Sequence, residues 1–180
     1  ALQDEQAIAT HSRDPKGAAA WQRQVEAKRK LAIELKTKAM NAAVAAYGVD
    51  ISNLTSFKYD PDATDGESGI TEESNRGVFI GDSAFSSPGW LASSIAHESE
   101  AHVNLQSMRG RNYDGQQGRA LSEVEAYHYE LTNAKRFGLS KDEQDAIRRN
   151  RAHYLGYLDK DTLARRNAGD YSMPKGREED

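Results

Sequence analysis

The stretch SSPGWLASSIAHESEAHVNLQSMRG, residues 86–110, decides how this chain is read. Ser87 followed by Pro88 marks a helix start, because the serine side chain caps free amide groups and proline sits where an N–H has no helical partner. Beyond Gly89 neither proline nor glycine interrupts the run before Gly110, which predicts a helix from Ser87 to Gly110. On a helical wheel Leu91, Ile95, Glu98, His102 and Leu105 share one face. Glu98 and His102 therefore interrupt an apolar, inward stripe, and a carboxylate placed there requires a compensating cation, proton or metal. His97 lies about 100° round the helix from Glu98, and on a regular α-helix His97 and His102 point about 140° apart. A π-type bulge between them restores the alignment, and such bulges gather at functional sites.

Upstream of this stretch, Asp14-Pro15 reads as a cap and first helical residue. The run from Lys16 to Tyr47 is rich in Ala, Lys, Glu and Leu and free of proline, with Gly17 as its weak point and Gly48 as its stop. It predicts a helix of roughly thirty residues, with Trp21, Val25, Leu31, Ile33, Leu35, Met40, Val44 and Tyr47 as its apolar contacts. TSFKYD and GVFIG read as short strands separated by an Asp/Gly/Ser/Glu-rich loop from Pro61 to Arg76, a mobile loop bordering a cleft. Downstream, helices are expected over about Ala120 to Phe137, stopped by Gly138, and from a Ser140–Glu143 capping box to about Leu158. A short helix near Thr162 and a disordered tail from Pro174 complete the chain. The fold class is α+β, mainly α: one domain over 1–180, with a helical segment 1–48, a hydrolase core 49–172 and a flexible tail 173–180.

Composition narrows the chemistry. The chain has 180 residues, 37% hydrophobic and 29% charged, with a net charge of −4. That balance offers no basic face for nucleic acid. Without cysteine, disulfides and thiolate metal sites are excluded, and any metal falls to His, Asp or Glu. No apolar run approaches the ~20 residues of a membrane span and the N-terminus lacks a signal-peptide layout, so a soluble domain cut from a larger protein is expected.

HESEAH, residues 97–102, resembles the HExxxH form of the zincin motif found in the dipeptidyl peptidase III family. Glu123-Val124-Glu125-Ala126 is similar to the Glu-x-x-Ala pattern that supplies the third zinc ligand in gluzincins. The resemblance covers about residues 77–130. It implies a zincin-like helical domain in which His97, His102 and Glu123, with Glu125 as the alternative, hold Zn²⁺ and leave a position for water. It implies Glu98 as the base that takes the water's proton, and GVFIG as the antiparallel edge strand that binds extended substrate. Tyr127, one turn after Glu123, is first among the oxyanion donors, with Tyr129, His128 and Tyr154 open beside it. Glu125 and Glu130 are the acceptors expected to orient the histidines. The wider pattern around residues 81–140 is similar to C-terminal effector domains of bacterial Rhs-type polymorphic toxins. That likeness implies delivery or secretion within a larger bacterial protein, a protein substrate or the peptide stems of peptidoglycan, and a cognate immunity protein.

Plainer readings stand beside these. A Glu98–His102 ion pair of helical spacing is one, and the tyrosines at 127, 129, 154 and 157 fit an interhelical core. Glu98 or Glu100 with Glu123 or Glu125 fit the acid and base of a metal-independent glycan hydrolase. A non-enzymatic adaptor using the first helix is the third alternative.

Overall fold

A computed structural model describes residues 15–72, 74–109, 113 and 115–167. Asp14, His11, Gly110 and the tail from Pro174 lie outside the described residues. The chain divides into two compact units, Ala1–Ala39 and Met40–Asp180. Helix α1, Pro15–Tyr47, is unbroken at Gly17 and ends at Gly48, whose φ of 62° is the left-handed stop expected of glycine. Its apolar residues do not act alike. Met40 is 1% exposed and Val44 and Tyr47 pack on the core, whereas Val25, Leu31, Ile33 and Leu35 are exposed, contrary to their expected role.

Within the second unit, β1 (Ser56–Tyr59), α2 (Pro61–Thr64), β2 (Gly69–Glu72) and β3 (Gly77–Ile80) come first. The two strands expected to form an antiparallel element, β1 and β3, pair in parallel, and the antiparallel partner of β3 is β2, from Gly69↔Ile80 to Glu72↔Gly77. The sheet order is thus β1-β3-β2. GVFI is its central strand rather than an edge, with Val78 and Ile80 fully buried. β1 and β2 are the two edges, and β2 is four residues of the segment read as loop. Only Ile70 in β2 is apolar, so no alternation announces it.

The helical layer begins with α3, Pro88–Ala96, capped as expected by Ser87, whose Oγ accepts from the Trp90 N–H at 3.0 Å. At His97 the helix changes to a π segment, His97–Gln106, and closes in a 3₁₀ turn, Ser107–Arg109. Then follow α4 (Gly115–Thr132), α5 (Ala134–Phe137), α6 (Lys141–Leu155) and α7 (Lys160–Asn167). The helix read over Ala120–Phe137 begins earlier and breaks at Asn133, with Gly138 stopping its second part at φ 63°. The Ser140–Glu143 capping box is present, and Glu143 also accepts from Ser87 Oγ at 2.6 Å, tying the starts of α3 and α6 together.

Around α3 lies the main core, with Phe137, Met40, Ile80, Ile95 and Ile147 fully buried. A smaller cluster of Ala120, Leu121, Val124 and Leu158 lies at the start of α4. The π segment packs against β2 on one side and α4 on the other. Eight of its residues are buried, including His97, Glu98, Glu100 and His102.

Candidate metal centre

In the π segment backbone bonding shifts toward i→i+5, so residues five apart gain the axial alignment that residues four apart have in an α-helix. His97 and His102 accordingly come together, with ring centroids 4.8 Å apart. A bulge of one residue would suffice for that alignment, and the distortion instead runs through Gln106.

Glu123 of α4 faces both rings. Its Oε2 lies 3.3 Å from His97 Nε2 and its Oε1 3.4 Å from His102 Nε2. Ligand atoms of the three residues all fall within 4.8 Å of one another. A tetrahedral ion with bonds of ~2.0–2.1 Å holds its ligand atoms roughly 3.3 Å apart, the scale of each separation, with the two carboxylate oxygens each facing one ring. Both separations are longer than the ~2.9–3.0 Å of a good N–H···O bond. The donor set, two imidazoles and one carboxylate, suits zinc with a fourth position free.

The outer nitrogens are also engaged. His97 Nδ1 donates to Glu130 Oε1 at 2.8 Å, and Ser93 Oγ donates to Glu130 Oε2 at 2.5 Å. His102 Nδ1 meets Gln106 Oε1 at 2.9 Å and Ser122 Oγ at 3.0 Å, while Gln106 Nε2 donates to the Ser122 carbonyl at 2.9 Å. Bonds from both Nδ1 atoms turn the Nε2 lone pairs toward Glu123. Glu130 thus accepts from one of the histidines, the contact expected of it. Glu125 does not: it accepts from Tyr113 Oη and lines a separate cavity. The reason is helical, since Glu125 is about 200° round α4 from Glu123, while Glu130 at i+7 returns to its face. Gln106 and Ser122 escaped the sequence reading, although one lies four residues from His102 and the other adjoins Glu123.

Electrostatics express the same closeness. Burial disfavours the imidazolium of His97, but Glu123 and Glu130 outweigh it and hold the pKa well above 6.5. His102 is likewise raised, with burial opposed by Glu123. Burial pushes the Glu123 carboxyl up, yet the two histidines prevail and leave it below the ordinary range.

Glu98 is 7% exposed and makes no helical ion pair with His102. Its Oε2 accepts from Thr71 Oγ1 of β2 at 2.8 Å. Gly69 of the same strand leaves room for it, because a Cβ there would lie 2.8 Å from Glu98 Cγ. Glu98, His102, Glu123, Ile70 and Thr71 line one cleft of about 620 Å³, walled opposite by His153, Tyr154 and Tyr157. Of the expected oxyanion donors, Tyr154 opens into this cleft. Tyr127 packs its ring 4.8 Å from His97, stacks on Tyr154 at 5.9 Å and lines a smaller cavity of 70 Å³. Burial and the Glu123 charge raise the pKa of both phenols. Tyr129 is turned to Glu100 and His128 lines the other cavity.

Glu100 lies outside the cleft as well. Arg136 donates to it through Nη1 at 2.8 Å and Nη2 at 2.9 Å, and the Asp50 N–H donates at 2.7 Å. A paired-carboxylate reading is left with Glu98 and Glu123 alone, and Glu123 is wedged between histidines. No protein-family model, curated protein or solved structure matches this chain. Among the described residues, no helix is long and apolar enough to cross a membrane.

Proposed function

We propose that this chain is a zinc-dependent hydrolase of peptide bonds. The observation that carries the reading is the convergence of His97 Nε2, His102 Nε2 and the Glu123 carboxylate at coordination spacing, in the cleft that holds Glu98. A divalent ion there supplies Lewis acidity and lowers the pKa of water. Glu98, placed by Thr71, accepts the proton of the attacking water and returns it to the departing amine. Tyr154, kept protonated by burial and the Glu123 charge, offers its hydroxyl to the developing oxyanion. The edge strand suits an extended substrate. Gly81 N–H donates to the Ser68 carbonyl, so antiparallel alternation turns the main-chain groups of Gly69 and Thr71 away from β3. A bacterial effector role, with peptidoglycan stem peptides or a protein as substrate and an immunity protein over the cleft, belongs to the same proposal.

Metal analysis of the purified chain before and after zinc addition is the direct test. One bound zinc is expected, with Glu98→Gln retaining it and losing cleavage, and His102→Ala losing both. A chain that neither carries nor takes up zinc overturns the reading. Hydrolysis of glycan bonds that survives EDTA supports the paired-carboxylate alternative instead.

A further inference from the structure

We infer that the substrate carries a carboxylate near the bond cut, and that Arg119 receives it. The inference rests on the hydrolase reading above. Arg119 is exposed and lines the same cleft as Glu98, His102 and Glu123, and among the described residues it is the one Lys or Arg that does so. It stands four residues before Glu123 on α4, hence on the same helix face and about 6 Å away along the axis.

That spacing is suited to an Arg119–Glu123 ion pair, yet the Glu123 oxygens face His97 and His102. Among the described residues Arg119 has no hydrogen bond or ion pair. The charge count then decides the sign of the cleft. Glu98 and Glu123 together offset a divalent ion, and Arg119 leaves the loaded site positive. A guanidinium presents a planar fork of donors that matches a carboxylate in two parallel bonds. With the two helix positions about 6 Å apart along the axis, a carboxylate near the metal-facing carbonyl falls within reach of the long Arg119 side chain. The Gln116 amide, one turn further back in the same cleft, adds a neutral donor beside it. The carboxylate is either an acidic side chain or the C-terminus of the peptide.

The test uses the zinc-loaded full chain and matched synthetic peptides. Internal Asp or Glu is compared with Asn or Gln, and a free C-terminus with its amide, cleavage being followed by mass spectrometry. Acid over amide is expected to win by about tenfold or more in kcat/KM. Arg119→Gln should bring the ratio near one through KM with zinc content unchanged, and Arg119→Glu should shift preference to Lys at that position. Which pair of peptides shows the preference tells side chain from C-terminus. Equal cleavage of acid and amide peptides, or a preference that Arg119→Gln leaves intact, overturns the inference and leaves the hydrolase reading standing. Cleavage of no peptide at all, with zinc bound, overturns both.

Discussion

Replacing Glu130 by Gln removes one charge and almost no volume from a carboxylate that is 4% exposed. Two bonds converge on it, from His97 Nδ1 at 2.8 Å and Ser93 Oγ at 2.5 Å. Hydrogen bonds to a charged partner contribute ~1.5–3 kcal/mol against ~0.5–1.5 kcal/mol for neutral ones, so about 1–1.5 kcal/mol is lost at the His97 bond. The glutamine amide also presents a donor where Ser93 needs an acceptor, and the serine hydroxyl must turn. His97 then becomes a weaker and less firmly oriented ligand. Zinc affinity is expected to fall about 10–100-fold, or ~1.4–2.7 kcal/mol, as is usual when a histidine ligand loses its supporting carboxylate. Competition with a chromophoric chelator measures this, alongside urea unfolding of the metal-free protein. If affinity changes by less than about threefold while metal-free stability falls, Glu130 and His97 are a structural ion pair, and the coordination argument is wrong.

Gly69→Ala places a methyl 2.8 Å from Glu98 Cγ, which must shift. Cleavage should fall by about tenfold or more with zinc stoichiometry preserved, because misplacing a proton acceptor by a fraction of an ångström is costly; unchanged kcat would remove Glu98 from the chemistry. Arg136→Met strips Glu100 of both guanidinium bonds while the carboxylate stays buried. Arg136 is 30% exposed at its side chain, so a loss of about 2 kcal/mol is expected by urea unfolding rather than the larger figure of a fully buried pair. On the zinc reading, protonation and the metal would compete at the histidines. Their folded pKa values are raised above 6.5, so in the metal-free protein this stabilisation is complete below pH 6.5 and lost as pH climbs through the raised values. Zinc requires the neutral rings, so the rise in Tm on adding zinc should grow from pH 6 to pH 8, and a flat or falling increment would contradict it.

Much of this architecture was legible in single residues. Ser87-Pro88, the Ser140–Glu143 box, Gly48 and Gly138 each act through their own backbone and nearest neighbours, and each stands where local chemistry places it. Five-residue histidine spacing likewise points to a helix defect if the two rings are to meet, and the π segment supplies it. What escaped depended on tertiary contact. Strand β2 has four residues and one apolar side chain, and it exists because β3 pairs with it and Glu98 packs beneath Gly69. The exposed apolar residues of α1 show the reverse failure, since composition alone does not reveal which turns meet the core.

The π segment also bears on how the protein would take up its ion. In a zinc finger the metal organises the chain, and the empty chain unfolds. Here the candidate ligands are aimed by other means: Glu130 and Ser93 hold one ring, Gln106 and Ser122 the other, and Arg136 anchors the far side of the same helix through Glu100. If it takes a metal, such a site would behave as a socket: a chelator would withdraw the ion and cobalt would replace it while the helix around it stays wound, so that occupancy would be separable from folding.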